Sequence, residues 1–399
     1  MKKMGFVVLF LMGLLLLAGC QDQKQTLRIE VRDISGEVMI DEEITYPDTT
    51  ELSLIEVIDE HVDLDYEMST FGAFIKGVDG FYPTEFGITY NYWLSIYVND
   101  QMIETGLDQV TYEEDMVISF RESSMLSDVD QEIDQFIYGF LDEKVNTYIN
   151  QDGMDHYVLA ALNQLSIYGY NTIDLTELDY PDYDDQTVAN RFKKALVSFS
   201  KDLDNELETD FTTFVELTPD GLYETITYLN AFDVFYTNEN HDKRNEIIQD
   251  FILEIPEYMD ADFAGMALSA VSSLQENQAV ETYIQQMIDV IKDNMTSTGV
   301  IGWGGANAAS TAVSIIGLLA VGENPRDEIY STLESDLVES LMLYVNEFAF
   351  NHLIDDENPD LAFTTPQGFA ALVMYKIYRD HMTTISDPTL NLWVFEVIN

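Results

Sequence analysis

Cysteine occurs once in 399 residues, at Cys20, so no intramolecular disulfide and no thiolate metal site can form in the mature protein. Basic side chains are nearly as scarce: 18 Lys and Arg stand against 73 Asp and Glu, a net charge of -55. Such a field repels phosphate backbones and anionic headgroups, which argues against nucleic acid as a partner. The acidity reads as a solvated surface suited to an extracellular protein rather than as one specific acidic site. Histidine is rare and scattered, at His61, His156, His241, His352 and His381, with no metal-ligand spacing. Also missing is an apolar run long enough to span a bilayer, which needs about 20 residues. Hydrophobic residues are plentiful at 46%, enough for one large core and one small one.

The one apolar run, Gly5 to Leu17, follows Met1-Lys2-Lys3 and ends in Leu17-Ala18-Gly19-Cys20, the pattern of a secretory signal closing on small residues. Leu-Ala-Gly-Cys resembles the bacterial lipobox, in which the cysteine thiol is diacylated and the signal is cut before it. The resemblance implies a signal peptide over 1–19, lipidation of Cys20, a polar tether over 20–26 and a protein held by lipid at the extracellular face of the cell membrane. Two or three acyl chains suffice for such an anchor, because each buried CH₂ contributes about 0.8 kcal/mol.

Past the tether, Leu27, Ile29 and Val31 alternate with Arg28, Glu30 and Arg32, a period of two that predicts a half-buried strand. A second strand is expected over 37–44, a short helix over 52–57, and a strand from Phe71 to Ile75. Then comes an aromatic loop with Tyr82, Phe86, Tyr90 and Tyr92. Trp93 to Val98, the turn Asn99-Asp100 and Met102-Ile103 read as a hairpin, and Met116 to Phe120 as a final strand. From about Asp128 the period changes to 3.6. Apolar stripes then predict helix after helix, at 133–141, 157–167, 188–199, 222–234, 245–255, 262–274, 280–291, 308–319, 333–345 and 366–378, with no strand before the last ten residues. Asp155, Asp262, Asn307 and Pro366 each precede an alanine by five, a weak repeat that marks helix starts and suggests stacked helical hairpins.

Two resemblances cover most of the mature chain. Residues 27–122, above all Phe71-Gly72-Ala73-Phe74-Ile75-Lys76-Gly77-Val78-Asp79-Gly80, Tyr92-Trp93-Leu94-Ser95-Ile96-Tyr97-Val98-Asn99-Asp100 and Gly106, resemble the C-terminal β-domain of the transcobalamin and intrinsic factor group. The chain departs from that pattern with Asp100 where a glycine is usual and Glu114-Asp115 where Gly-Asp is usual. Residues 128–399 resemble the α/α toroid of the terpenoid cyclase and protein prenyltransferase superfamily, best over Gly302-Trp303-Gly304-Gly305-Ala306-Asn307-Ala308-Ala309-Ser310-Thr311-Ala312 and on to Asn324-Pro325. The resemblance implies a multidomain α and β protein, a small β-grasp-like or mixed β-domain followed by a helical-hairpin ring. The vitamin B12 carriers hold the same two modules in the reverse order.

That superfamily includes enzymes, and each catalytic option meets an obstacle. A prenyltransferase zinc centre needs a cysteine ligand that is missing here. Asp182-Tyr183-Asp184-Asp185 matches the DxDD acid of class II cyclases, but it lies in an acidic loop where such a match is cheap. The histidines form no local Tyr-His-Arg group of the kind polysaccharide lyases use. His156 beside Asp155 is a candidate cobalt ligand, against the plainer reading of a helix-start residue. The expectation is therefore no catalytic residue, no resident metal and no catalytic cofactor. Instead the resemblance implies a cell-surface lipoprotein that binds a bulky ligand, cobalamin or another corrinoid, between its two domains and passes it to a transporter. The residues expected to meet it are Tyr90, Tyr92 and Trp93 from the β-domain and Trp303, Asn307 and Ser310 from the toroid. The alternatives are a non-catalytic adhesion or cell-envelope interaction protein, and a terpenoid cyclase-like enzyme.

Overall fold

The computed structural model describes residues 24–47, 52–113, 115–150, 154–171, 173–235, 242–254, 259–383, 385 and 389–396. The expected signal peptide and lipidated Cys20 lie outside these residues. The chain divides into two compact units, one ending at Leu126 and the other beginning at Ser127.

In the first unit β1 (Lys24–Arg32) buries Leu27, Ile29 and Val31 while Arg28 faces solvent, as its alternation dictates. It pairs antiparallel with β2 (Val38–Pro47) and parallel with β7 (Met116–Ser124), Leu27 opposite Met116. β5 (Tyr92–Val98) joins the far side of β7, and β6 (Gln101–Met102) follows, giving the order β2-β1-β7-β5-β6. Asn99 and Asp100 both take left-handed φ, 49° and 63°, the two-residue turn that suits the twist of a hairpin. Helix α1 (Leu54–Asp59) buries Leu54, Ile55, Val57 and Ile58, and its Glu56 carboxylate accepts from Ser53 N and Oγ at its start. A strand not anticipated, β3 (Leu64–Ser69), pairs with β4 (Gly72–Val78) in a separate two-stranded sheet. It escaped the pattern because only Leu64 of its six residues is buried.

The second unit holds the helices α2 (Asp128–Glu143), α3 (His156–Ile167), α4 (Val188–Ser200), α5 (Asp204–Phe214), α6 (Leu222–Phe235), α7 (Asp242–Phe251), α8 (Ala261–Val271), α9 (Gln278–Asp293), α10 (Ala308–Ala320), α11 (Leu337–Met342) and α12 (Thr364–Ile377). Two expectations are corrected. Helix α5 had no place among the apolar stripes, since only Leu207, Phe211 and Phe214 of its eleven residues are buried. Short strands also interrupt the helices: β8 (Met295–Thr296), β9 (Gly299–Gly302) and β10 (Gly305–Asn307) form one small sheet, β11 (Val345–Asn346) and β12 (Ala349–Phe350) another. Strands of two to four residues are too short to show a period.

The packing partners close a circuit. α3 packs on α4, α4 on α6, α6 on α8, α8 on α10, α10 on α12, and α12 returns to α3. The alternate helices α2, α7, α9 and α11 lie on α12, α6, α8 and α10, and α5 lies on both α4 and α6. Members of the circuit are therefore covered on most sides, and every residue of α10 and of α12 is buried. α8 and α10 approach through glycine: a Cβ on Gly317 would stand 2.3 Å from the Gly265 carbonyl oxygen, so neither position admits a side chain. Burial extends to Lys376, whose Nζ lies 2.9 Å from Asp134 Oδ1 and 3.0 Å from Asp380 Oδ2.

The residues 389–396 fill the middle of the circuit. Leu390 N donates to Leu319 O, while Gln164 Nε2 on α3 donates to the carbonyls of Asn391, Leu392 and Val394. Asn391 Nδ2 donates to Ser269 O and Ser272 Oγ beside α8, and Phe395 stacks on Phe199 of α4 at 4.5 Å. Trp393 packs against Tyr157, Phe192 and His156 at 5.1 to 6.1 Å between ring centroids.

Candidate rim site of the helical unit

The starts of the circuit helices are held by short polar caps. Asp155 Oδ1 accepts from Tyr157 N and Val158 N at α3, Asp260 Oδ1 from Phe263 N at α8, and Asn307 Oδ1 from Ser310 N at α10. At α12 the Asp360 carboxylate collects the N–H groups of Ala362, Phe363 and Thr364. The repeat read from the sequence is thus two residues out at α8, where Asp260, not Asp262, is the cap, and at α12, where Pro366 lies within the first turn of a helix that begins at Thr364.

That offset frees Asp262 to serve as the hub of the rim. Burial raises its carboxyl above the usual range; Ser310 and His352 work against the rise, and Asp260 adds to it. Tyr157 at the start of α3 is raised by burial first and then by Asp155, with Asp262 contributing, while the Gln367 amide of α12 opposes. Tyr223 at the start of α6 is raised by burial, then by Asp260 and Asp262, and its ring lies 5.9 Å from Phe263. His352 O accepts from Ala308 N at the start of α10. The starts of α3, α6 and α10 therefore share their electrostatics with one carboxyl on α8, with His352 ahead of α12 joining them, a grouping that no local stretch of sequence displays.

Two buried polar groups there lack partners. The Ser310 hydroxyl, 1% exposed, and the Gln367 carbonyl oxygen, on a residue 5% exposed, make no hydrogen bond. Ser310 lies close enough to moderate Asp262 without meeting hydrogen-bond geometry. The Tyr148 hydroxyl is likewise buried without a bond, and burial pushes it up to about 12, moderated by Thr365. Flat apolar groups stand open nearby in the chain: Trp303 is 85% exposed, Tyr223 59% and Phe363 56%. Trp303 rides on the β9–β10 hairpin, which Asn307 Nδ2 fastens by donating to Trp303 O and Gly305 O.

The expected ligand residues are placed as follows. Trp303 is exposed, whereas Asn307 is buried as cap and hairpin clasp. Ser310 lies beneath the hairpin, where a Cβ on Gly302 would come within 1.9 Å of its hydroxyl. In the first unit Tyr90 is exposed, Tyr92 is buried, and Trp93 lines an open groove of about 380 Å³ with Phe71, Phe74 and Met102, its Nε1 donating to Ser95 Oγ. Residues missed from sequence are Tyr157, Asp262, His352 and Gln367 as one group; their only local signal was proximity to helix starts. His156 is packed against Trp393, Phe192 and Tyr157, and burial lowers it. Asp184 is exposed, and Asn190 and then Gln186 hold its carboxyl below the usual range, the reverse of what an alkene-protonating acid requires.

No family model, curated protein or solved structure matches this chain.

Proposed function

We propose that the protein is a lipid-anchored surface receptor that binds a bulky, flat ligand at the rim of its helical unit without chemical conversion, a corrinoid being the class to try first. In this reading the circuit of six helices is the inner ring of an α/α toroid, the first unit is the small β-grasp-like domain, and the five alternate helices form the outer ring. The observation that carries it is the convergence of helix starts around Asp262, with Ser310 and Gln367 unsatisfied and Trp303 open to solvent. Aromatic faces beside a few placed polar groups suit a large planar ligand. The packed middle supports a mouth at the rim rather than a deep chamber, since the residues 389–396 occupy the centre. Transfer to a transporter and attachment through Cys20 belong to the same proposal.

The test is a titration of the soluble mature chain with cyanocobalamin and cobinamide, read by tryptophan fluorescence and ligand absorbance. Binding at about micromolar Kd, near -8 kcal/mol, is expected. Trp303→Ala should weaken it about tenfold or more, within the range of a lost aromatic anchor. No spectral change at that ligand concentration overturns the corrinoid reading.

A further inference from the structure

We infer that the rim selects ligands that present N–H donors, as primary amides or ammonium groups beside a flat apolar face, and rejects the corresponding carboxylates. This rests on the rim-site reading above and names the chemical class that the site accepts.

Helix starts ordinarily attract anions through unpaired N–H groups. Here those groups are spent internally, on Asp155, Asp260, Asn307 and Asp360. Three of the four caps are carboxylates, so the rim carries negative charge where a bare helix start would be positive. Of the remaining polar atoms, the Ser310 hydroxyl can donate but is 1% exposed beneath the hairpin and acts on Asp262, while the others accept. Gln367 Oε1, nine-tenths buried and unpartnered, is one, and the carboxyl of Asp262 is another.

His352 joins them because of its neighbours. Thr364 Oγ1 donates its only hydrogen to Asp360 Oδ2 at 2.8 Å. Asp360 is free to accept it, since despite burial the Thr364 hydroxyl and the N–H groups of Thr364, Ala362 and Phe363 hold its carboxyl below the usual range. Thr364 Oγ1 can then only accept from His352 Nδ1 at 3.0 Å. The hydrogen bonds thereby place an N–H on His352 Nδ1, and it is Nε2 that faces away from Thr364 as the second ring nitrogen. Lys193, a cation that acts on this end of α3, lies over the Tyr183 ring. A carboxylate brought to this rim would meet acceptors and like charge, and lose its hydration without replacement.

Two pairs of probes test this on the full mature chain at roughly 1 M NaCl, where charges more than about 3 Å apart are screened. The first pair is cobinamide and the same macrocycle carrying carboxylic acids in place of amides. The amide form should bind at least about tenfold more tightly, the loss expected when charged acceptors go unpaired. Equal binding overturns the inference while leaving the rim reading intact; binding of neither removes the corrinoid reading alone. The second pair, cationic thioflavin T and anionic anilinonaphthalene sulfonate, does not depend on corrinoids. Thioflavin T should bind in a manner lost in Trp303→Ala and weakened in Asp262→Asn, and the sulfonate should not bind at the rim. Equal Trp303-dependent binding of both dyes, or thioflavin T binding indifferent to both substitutions, overturns the inference.

Discussion

Asp233 and Arg244 show how a single buried pair contributes to the pH response of the helical unit. Arg244 Nη1 stands 2.9 Å from Asp233 Oδ1 with both side chains almost wholly buried. Burial nonetheless pushes the Asp233 carboxyl up to about 7, against the pull of Arg244. A carboxyl raised in the fold binds its proton more tightly there than in the unfolded chain. Its contribution to stability is complete below the unfolded value of 3.8 and fades as pH rises through about 7. Asp233→Asn should therefore gain on the parent as pH rises from 5 to 8, by at most about 1.4 kcal/mol per pH unit. Urea unfolding at each pH measures it; a constant difference would show that Asp233 is ionised throughout. Arg244→Met, which strands a buried carboxyl, should cost roughly 3–5 kcal/mol near neutral pH, and less when combined with Asp233→Leu.

Among the elements, the 389–396 segment is the one whose removal is most informative. It contributes Leu390, Leu392, Trp393 and Phe395 to the core, and its carbonyls take three bonds from Gln164. Trp393→Ala opens a cavity among Tyr157, Phe192 and His156 and should cost about 3–5 kcal/mol. Gln164→Leu should cost less, about 1–3 kcal/mol, because it keeps the apolar volume of the side chain and Asn391 O still accepts from Val394 N. Chemical denaturation of both variants checks the order. If Trp393→Ala proves nearly neutral, the segment does not fill the centre of the circuit in solution.

For the molecule as a whole, 73 acids against 18 bases make mutual repulsion the dominant long-range term. Raising salt from about 0.01 M to 0.5 M should raise the thermal midpoint, by roughly 2–4 °C for each kcal/mol of repulsion screened. Scanning calorimetry across a salt series measures this; a falling midpoint would mean that local ion pairs such as Arg326 with Asp130 and Asp336 outweigh the repulsion.

The residues themselves determined the alternation in Leu27, Ile29 and Val31, the Asn99-Asp100 turn, and a change of period near Asp128, where the first long helix does begin. Those features depend on neighbours two to four positions apart, and a linear pattern records them. It could not record β3 or α5, whose apolar faces are slight, nor the strands around Trp303, which are too short. Only tertiary structure decided that Asp262 shares its electrostatics with Tyr157, Tyr223 and His352, since these residues are separated by tens to hundreds of positions. It alone also decided that Trp393 fills the centre. The reason is physical: a site assembled from several helix starts exists only once the helices have closed on one another, and no single helix carries its pattern.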